Sequence, residues 1–434
     1  MQRLISRIRS SIRNLSRFKK IFTLWFLFEF NLGIFWSIWS VNILDQGHSY
    51  SETSIALAIY LLVIALLETP TGWIADKFGH RATCISGIII SSLGFFCLSF
   101  AGKTIVLYSS LGMAALGMAL FNGSKQIWFI DTARQQDPGM TRDSLLIDLE
   151  VPRRLAQIVG AYLGTGLSQI NTAYTWYMIA LSGLIAFMVA LKTPAGKKTV
   201  STLKSDSHNA TQNDHGPFAA IKTPALTIIY IATFIYGVDL AIRGLILSPY
   251  VIKILSHGNA TNMGTVTLVG ATMGLLGNKF YKSITKKYQL DKTIFMIISL
   301  VVYSFSESVF SQTLNFKLFL ALYGMCIFTM GWFVSLHDAI VLDFIDEKNR
   351  AFFLSVASML RNFSAACTLL ILAPRTKELA QFQSYWQFSA IALLSCGFLY
   401  QCLYMMRKYH LSPQKQVKEA PMRVLKEVDS RHRS

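Results

Sequence analysis

Residues 51 to 81 read SETSIALAIYLLVIALLETPTGWIADKFGHR. The stretch carries no charge from Thr53 to Leu67, whereas its last part, 76 to 81, is polar and contains a glycine. A helix that crosses the hydrocarbon core of a membrane needs about 20 largely apolar residues, because the core is about 30 Å thick. The stretch therefore predicts a membrane-spanning helix, residues 51–75, that ends in a short polar turn at one face of the membrane.

Further stretches of the same kind follow along the chain. Of the 434 residues, 53% are hydrophobic and 15% are charged, whereas about 25% of the residues of a soluble domain are charged. Lipid offers no hydrogen-bond partner to an open backbone, so each span is expected to be helical. The sequence thus predicts an all-α integral membrane protein with twelve transmembrane helices, of which the fifth and eighth are the least apolar. The predicted spans are 21–44, 51–75, 83–101, 105–131, 145–168, 174–191, 224–247, 262–280, 292–311, 316–342, 351–373 and 385–406.

The net charge of +18 raises the question of a nucleic-acid partner. The positions of the 41 Lys and Arg residues answer it, because 31 lie on the side of the N-terminus, five on the other side and five inside spans. Such an excess of Lys and Arg is typical of cytoplasmic loops. We therefore expect both termini in the cytoplasm and no nucleic-acid partner.

The spans form two groups of six, separated by the longest polar segment of the chain. This segment is too poor in apolar residues to form a core and is predicted to be a flexible linker. The first residues are rich in Arg and Ser, as in organellar transit peptides, but we interpret them as a basic segment lying on an anionic membrane surface, which requires only the same charge rule. The predicted units are a basic cytoplasmic segment 1–20, a six-helix bundle 21–191, a cytoplasmic linker 192–223, a second six-helix bundle 224–406 and a basic cytoplasmic tail 407–434.

The six cysteines occur singly, within or beside apolar spans. Their spacing is not that of a zinc site or of a disulfide framework. We interpret them as packing residues and expect neither a metal nor a cofactor.

The two halves share an internal repeat. Arg142 and Arg153 recur as Arg350 and Arg361, each pair 11 residues apart and displaced by 208 residues. Each pair belongs to the fifth span of its half, with the first Arg at the cytoplasmic start and the second ~15 Å deeper at about 1.5 Å per residue. The halves are therefore related in sequence as well as in the number of spans.

A motif follows the second span. Gly72, Asp76, Gly79 and Arg81 occupy defining positions of the pattern G-x-x-x-D-x-x-G-R-[RK], and His80 stands where an Arg is usual. Between the second and third spans of a twelve-span chain, this motif resembles the signature of the major facilitator superfamily. The preceding Glu-x-Pro-x-Gly sequence is similar to a bacterial branch associated with efflux. The resemblance implies two six-helix bundles around a central cavity, alternating access, and a loop that latches the two halves at the cytoplasmic side.

Physical roles follow for the motif residues. Gly72 allows close approach of helices, Gly79 permits a tight turn, and Asp76 is placed to pair with a cation or to cap the next helix. A second family motif, a Gly- and Pro-rich run on helix five that marks many drug antiporters, is matched only in its glycines, which are also typical of helix packing. These glycines are Gly160, Gly164 and Gly166.

Ionisable residues inside spans are costly and normally face a cavity or a partner, so each is a functional candidate. Glu29 and Asn31 lie on helix one, which the resemblance places beside the cavity. Glu29 is a candidate for proton coupling or substrate binding, with a structural salt bridge as the alternative. Lys125, Arg153 and Arg361 lie at similar depth on helices four, five and eleven and are candidates for a cationic pocket.

The two arginines of helix five have different expected roles. Adjacent residues diverge by about 100° on a helix, so Arg153 and Arg154 do not point at one spot. One arginine is expected to line the cavity and the other to bind Asp148 or Glu150. Glu150 and Arg154 have the spacing of a structural ion pair, which leaves Arg153 to line the cavity. Asp239 and Arg243 on helix seven have the same spacing and are expected to neutralise each other.

The remaining charged residues are weighed singly. His337 is able to carry protons, since imidazole titrates near neutrality, but a single buried His is more often simply hydrogen-bonded. Glu307 lies on helix nine, which the resemblance places at the periphery, and is expected to be structural. A charge network of the gate is predicted at the cytoplasmic edge, formed by Asp131, Arg142, Asp343 and Arg350.

These observations predict a multi-pass transporter of the bacterial inner membrane, driven by the proton gradient. The leading hypothesis is proton-coupled export of a small organic compound, based on the resemblance and on Glu29. The alternative is uptake or export of an anionic solute, such as a carboxylate siderophore or an organic acid, bound by Lys125, Arg153 and Arg361. The expected partners are a small-molecule substrate, protons and the lipid bilayer, and the protein is expected to be a monomer.

Other classes of protein fit the sequence less well. A membrane enzyme such as an acyltransferase needs a His beside a second catalytic group at a membrane face, and His337 has only Asp338 beside it. The chain has no nucleotide-binding P-loop for a pump. We therefore expect no enzyme, and a non-transporting receptor of the same fold is the remaining alternative.

Overall fold

A computed structural model describes residues 18–139, 142–195, 224–288, 291–345, 350–376 and 381–431. Most of the predicted N-terminal segment 1–20 and of the linker 192–223 lies outside these residues. The described part of the chain forms twelve α-helices, the shortest of 18 residues. They are α1 (Lys19–Asp45), α2 (Tyr50–Phe78), α3 (His80–Cys97), α4 (Thr104–Gln136), α5 (Arg142–Ile170), α6 (Thr172–Leu191), α7 (Pro224–Pro249), α8 (Thr261–Tyr288), α9 (Lys292–Phe310), α10 (Phe316–Leu342), α11 (Arg350–Leu372) and α12 (Phe382–Arg431).

The helices lie at the twelve predicted spans. Ten are long and apolar enough to cross a membrane. The other two, α5 and α8, are the least apolar predicted spans, yet they have 29 and 28 residues and pack against α1 and α10. The predicted all-α membrane architecture is confirmed. Two helices extend further than predicted, because α7 continues in a π-helical turn, Tyr250–Leu255, and α12 continues to Arg431.

Local sequence determines where α2 begins and ends. The Ser49 hydroxyl accepts a hydrogen bond from the Glu52 N–H at 3.2 Å, and the Glu52 carboxylate accepts one from the Ser49 N–H at 2.8 Å. This reciprocal capping box satisfies two backbone donors of the first turn. Gly79 ends the helix with φ of 95°, a conformation that costs glycine little. The tight turn predicted at Gly79 is confirmed.

Glycines allow α1 and α5 to approach closely. A Cβ atom on Gly33 would overlap the backbone of Gln157, and one on Gly160 would overlap the carbonyl oxygen of Phe30. A Cβ atom on Gly164 would also lie only 2.8 Å from a side chain of α1. Small residues at such contacts matter in membranes because packing, rather than the hydrophobic effect, drives helix association.

The twelve helices pack as two related groups, α1–α6 and α7–α12. In the first group α1 contacts α5 and α6, and α4 contacts α2 and α3. In the second group the corresponding helices make the same contacts, with α7 against α11 and α12, and α10 against α8 and α9. The groups meet where α2 packs on α11, α5 on α8 and α1 on α7. This two-fold pattern matches the sequence repeat.

The helix ends define two faces. The basic face carries the joints α2–α3, α4–α5, α8–α9 and α10–α11, the start of α1, the end of α6 and most of the described Lys and Arg residues. The opposite face carries the joints α1–α2, α3–α4, α5–α6, α7–α8, α9–α10 and α11–α12. Polar contacts between the groups lie near the opposite face. They join Trp39 Nε1 to the Gly244 carbonyl (3.0 Å), the Ser40 and Ser248 hydroxyls (2.8 Å), the Ser54 hydroxyl to the Leu369 carbonyl (2.8 Å), and Lys253 to Asp45 (3.0 Å). The two groups are therefore held together at the opposite face.

Candidate functional site

A cavity of about 530 Å³ lies between the two groups of helices, at the middle of their length. Its wall is formed by α1, α2 and α4 of the first group and by α7 and α11 of the second. Three of its residues are charged, namely Glu68, Lys125 and Arg361. Aromatic and amide side chains complete its polar lining, and they are Trp36, Tyr60, Tyr236, Asn122, Gln126 and Asn362. A mostly apolar cavity with a few polar groups is typical of small-molecule sites.

Lys125 places a cation in the α4 wall of the cavity. Its Nζ donates a hydrogen bond to Asn122 Oδ1 at 2.8 Å. The same atom lies 4.1 Å from the centre of the Phe28 ring and 5.2 Å from that of Trp25. The electron-rich faces of these α1 rings attract the ammonium group. Lys125 is thus held between α4 and α1 with its charge at the cavity.

Arg361 places a second cation in the α11 wall. Its Nη2 donates to the Ser358 hydroxyl at 3.3 Å. Glu68, on α2, faces Ser358 and Arg361 from the other group of helices. The Glu68 Oε2 atom is buried and has no hydrogen-bond partner among the described residues. The attraction between Glu68 and Arg361 therefore depends on how the two groups of helices are placed relative to each other.

Glu29, the predicted proton carrier, lies behind the cavity wall. It is only 4% exposed, and its Oε2 accepts a hydrogen bond from Gln157 Nε2 of α5 at 2.8 Å. The carboxylate also acts electrostatically on Lys125. Asn31 is placed differently, because its Oδ1 accepts a hydrogen bond from the Ser182 hydroxyl of α6. Of the two helix-one candidates, only Glu29 is thus near a charged residue of the cavity.

Arg153 lies outside the cavity wall, in contrast to its predicted position. Its Nε and Nη2 atoms donate to the two oxygens of Glu150 at 2.8 and 2.6 Å. Arg154, the predicted partner of Glu150, donates a single bond at 3.1 Å. Residues three and four positions apart are both neighbours on a helix, so one carboxylate binds both arginines. Arg153 is therefore held within α5 by a carboxylate that it shares with Arg154.

His337 is fully engaged in hydrogen bonds. Its Nδ1 lies 2.6 Å from the Tyr400 hydroxyl and its Nε2 lies 3.2 Å from the Thr233 hydroxyl. The ring is buried between α7, α10 and α12. This environment is that of a histidine that joins helices of the second group.

The motif between α2 and α3 makes its described contacts within the first group of helices. Asp76 is 76% exposed and its carboxylate lies 3.7 Å from the His80 ring, which occupies the usual Arg position. Arg81 donates to the Leu191 carbonyl at 2.8 Å, at the end of α6, where the helix dipole favours a cation. A Cβ atom on Gly72 would meet nothing within 4 Å. The close helix contact predicted at Gly72 is therefore absent in this conformation, since the two groups are joined at the opposite face.

Asp343 belongs to a charge cluster at the basic face, although its partners differ from those expected. It accepts hydrogen bonds from Lys292 at 2.9 Å and from Arg407 at 3.1 Å. These contacts tie the ends of α9, α10 and α12 within the second group.

The other members of the predicted gate network lie on α4, α5 and α11. Arg142 and Arg350 are the first residues of α5 and α11, as the sequence repeat predicts. Their side chains lie outside the described part of the structure. Asp131 is half-buried near the basic-face end of α4.

Glu68 and the aromatic wall residues are candidates that the sequence analysis did not single out. Glu68 lies inside the predicted span 51–75, so the rule that intramembrane charges are functional applies to it. Tyr60 and Tyr236 carry no such signal, because an apolar span does not indicate which of its faces borders a cavity.

Metal binding has no candidate site in the described residues. No group of three or more His, Cys, Asp or Glu side chains there is placed to hold an ion. All six cysteines are free thiols, and Cys84, Cys326 and Cys396 are buried.

Residues 21–289 match the family model of the Major Facilitator Superfamily. The chain belongs to this superfamily. Multidrug resistance protein MdtH of Blochmanniella pennsylvanica (strain BPEN) is 30% identical over 120 residues, which is 28% of each chain. The uncharacterized MFS-type transporter YxaM of Bacillus subtilis (strain 168) is 22% identical over 205 residues, 46% of this chain and 47% of YxaM. The chain thus spans less than half the length of these relatives.

Solved structures of the superfamily share the fold over most of the chain. The nucleoside transporter NupG has a TM-score of 0.71 at 13% identity, covering 89% of this chain and 99% of NupG. An auto-inhibited peptide transporter of the POT family has a TM-score of 0.70 at 11% identity, covering 90% of this chain and 97% of that one. At such low identity the likeness shows the fold alone. The predicted superfamily fold is confirmed.

Proposed function

We propose that the protein exports a small organic compound across the bacterial inner membrane in exchange for protons, acting as a monomer. In alternating access, the two groups of helices open the cavity to one side of the membrane at a time. The observation that supports this proposal is the cavity between the groups, with Glu68 and Lys125 from the first and Arg361 from the second. A compound held between these residues touches both groups, so its binding free energy depends on their relative position.

The distribution of charge supports an orientation with the basic face in the cytoplasm. In this orientation the contacts at the opposite face close the outer side. Asn122 and Gly123 of the cavity wall are exposed, and Gly72, nearer the basic face on α2, has open space beside it. The cavity is then open to the cytoplasm, which is the state in which an exporter takes up its cargo. The name of the MdtH relatives, multidrug resistance protein, agrees with export.

The orientation is tested by reporter fusions. A reporter that is active only outside the cytoplasm should be active when fused after Gln46 or Ser256. It should be inactive after Ser205 or Ser434. An active Ser205 fusion would overturn the arrangement of two halves joined by a cytoplasmic linker.

Glu29 is the proton site in this proposal. A proton bound to Glu29 removes one negative charge beside Lys125. By Coulomb's law, protonation of Glu29 weakens the binding of a cationic compound, and such a compound would be exchanged for a proton. The same protonation strengthens the binding of an anionic compound, and such a compound would be transported together with a proton. The charge of the cargo and the direction of coupling are therefore linked at Glu29.

The proposal is tested by finding the cargo and then measuring its coupling. Metabolite profiles of knockout and complemented cells identify compounds whose secretion depends on the protein. Proteoliposomes with an imposed pH gradient should accumulate such a compound, whereas Glu29→Gln, which cannot ionise, should retain downhill exchange but lose gradient-driven accumulation. Glu29→Asp, which keeps a carboxylate, serves as the matched control. Full accumulation in Glu29→Gln would remove the proton role of Glu29.

A second candidate function is transport of an anionic solute. The observation that favours it is the position of Lys125 and Arg361 on different walls of the cavity, with one acid, Glu68, lining the same cavity. Arg153 does not contribute to this pocket, because Glu150 binds it. A carboxylate bound between Lys125 and Arg361 would bridge the two groups of helices.

A further inference from the structure

A second group of charged residues lies inside the α7–α12 group, apart from the cavity wall. It contains Asp239 and Arg243 on α7 and Glu307 on α9, and both acids are fully buried. Arg243 donates to one oxygen of Asp239, while the hydroxyls of Tyr303 and Ser389 donate to the other at 3.1 and 3.3 Å. The predicted Asp239–Arg243 ion pair is confirmed, and both oxygens of Asp239 accept hydrogen bonds.

Glu307 lacks such partners. Both of its carboxylate oxygens are buried without a hydrogen bond in the described part of the chain. The groups that act on it are Asp239, Arg243 and Ser389, so the cation nearest to it is already paired with another acid. An ionised carboxylate without a partner is costly at membrane depth. This environment does not fit the structural role expected for Glu307 from the sequence.

The charges of Asp239, Arg243 and Glu307 indicate that this group of residues binds a proton. Two ionised carboxylates and one guanidinium leave one negative charge in excess, and one bound proton removes it. We propose that Glu307 holds one proton while Arg243 is bound to Asp239, and that Asp239 takes up a second proton when Arg243 leaves. The two acids then form a coupling site separate from Glu29. This inference rests on the second candidate function, in its proton-coupled form, because an anion in the cavity would be accompanied by one proton.

The other titratable groups that face the site supply no second positive charge. They are Tyr236 on α7, Tyr303 on α9, Tyr323 and Cys326 on α10, and Cys396 on α12. Each of these side chains is neutral or negative in both of its protonation states. A sodium ion fits less well than a proton, because both oxygens of Asp239 already accept hydrogen bonds.

Arg243 is the most accessible of the three charged residues. Its side chain is 17% exposed, whereas that of Asp239 is fully buried. Leu240 and Tyr236, which precede Arg243 by three and seven residues on the same helix face, line the cavity. An anionic group in the cavity would compete with Asp239 for Arg243.

The proposed step balances charge and protons. When Arg243 leaves, Asp239 accepts a proton from a hydronium ion in the cavity water: an O–H bond of the hydronium breaks, one forms on Asp239, and a water molecule remains. When Arg243 returns, this bond breaks and the proton passes back to water. The position of Arg243 thus couples occupancy of the cavity to one proton.

The test uses the purified protein in lipid, without substrate, and infrared spectroscopy of the carboxyl C=O stretch. The spectrum of each variant is subtracted from that of the wild type. Glu307→Gln and Asp239→Asn should each lose the same protonated-carboxyl band, because either variant leaves one acid paired with Arg243. Arg243→Gln should show a roughly twofold stronger band, since two protonated acids remain. Glu29→Gln should keep the band, which separates this site from the proton site of the proposed function.

Each other outcome overturns the proposal. A band that persists in Glu307→Gln means that Glu307 holds no proton. A band that persists in Asp239→Asn means that Glu307 keeps its proton even when Arg243 has lost its acid, so the three residues do not balance their charges together. Loss of the wild-type band when Na⁺ replaces K⁺ would identify a sodium site instead. Since Glu307 accepts no described hydrogen bond, Glu307→Gln should fold even if Asp239→Asn does not.

Discussion

Arg153 and Arg361 occupy equivalent positions in the sequence repeat but have different surroundings. The same displacement of 208 residues relates Glu150 to Ser358. The arginine of α5 is therefore held by a carboxylate at 2.6 Å, and that of α11 by a hydroxyl at 3.3 Å. Replacement of the acid by serine leaves Arg361 without a counter-charge on its own helix. Arg361 lines the cavity and is free to bind an anion there, whereas Arg153 lies outside the cavity wall and is held by Glu150.

This asymmetry predicts different effects of two matched substitutions on anion binding. Arg361→Ala should weaken the binding of an anionic solute by about 1.5–3 kcal/mol, the scale of a hydrogen bond to a charged group. Arg153→Ala should leave the affinity nearly unchanged, because its guanidinium binds Glu150. The measurement is the Kd of the purified variants for the same solute.

Arg361→Lys provides the control, because it keeps the positive charge and should restore part of the lost affinity. Equal losses of affinity in Arg153→Ala and Arg361→Ala would show that Arg153 also binds the solute. Unchanged affinity in both variants would remove the anionic solute as a candidate.

Some residues of the candidate site could be predicted from the sequence and others could not. Glu29 and Lys125 were identified because charge inside a span is rare and costly. The pair between Glu150 and Arg154 was predicted, but the pair between Glu150 and Arg153 was not. Residues three and four positions away are both within reach, and the side-chain rotamers that decide between them depend on packing. Glu68 shares the signal of Glu29, but its position across from Arg361 depends on the packing of α2 on α11.

At the scale of the helices, the predicted spans follow from the thickness of the membrane, and the ends follow from local signals. Gly79 ends α2 at the predicted turn. The continuation of α12 to Arg431 was not predicted, because the tail is polar and hydropathy detects only the part of a helix that lies in lipid. The π-helical turn that ends α7 likewise has no hydropathy signal.

Two glycines of α5 predict opposite effects on stability. A Cβ atom at Gly160 would overlap the Phe30 carbonyl, so Gly160→Ala should force α1 and α5 apart and destabilise the fold by about 1–3 kcal/mol. Gly166 has nothing within 4 Å of a Cβ position, so Gly166→Ala should be neutral or stabilise by about 0.5–1 kcal/mol. Thermal unfolding midpoints in detergent measure the difference. Equal midpoints would contradict the close contact at Gly160.

The α2–α3 joint predicts a loss of function without a loss of stability. Asp76 is 76% exposed and faces His80, so Asp76→Asn should change the free energy of unfolding by no more than about 0.5 kcal/mol. It should nevertheless reduce transport severely, because the latch proposed for the other conformation loses its anion.

Asp137→Asn is the matched control, because it removes an acid at the same face while its Oδ1 still accepts from the Gly139 N–H. Protein level in the membrane, unfolding midpoint and transport should be measured together. Normal transport by Asp76→Asn would exclude the latch role of this residue.

At the scale of the whole molecule, the two related groups of helices were predictable, but the conformation was not. The hydropathy pattern and the repeat between Arg153 and Arg361 are properties of the sequence and are the same in every state of the transport cycle. The state shown here depends on which contacts between the groups are made. Gly72 illustrates this difference, because its predicted helix contact requires closure of the basic face and is absent when the opposite face is closed.

The last prediction concerns the contacts that close the opposite face. The hydroxyls of Ser40 on α1 and Ser248 on α7 lie 2.8 Å apart and come from different groups of helices. Cysteines at both positions, in a protein whose six native cysteines are replaced, should form a disulfide on oxidation, because such close side chains suit its geometry.

If transport requires this face to open, the oxidised double variant should bind its substrate from the basic face but not transport it. Reduction should restore transport, and Ser40→Cys or Ser248→Cys alone should be insensitive to oxidant. Cross-linking is quantified by mass spectrometry, and full transport by the completely cross-linked protein would show that the α1–α7 contact does not move during the cycle.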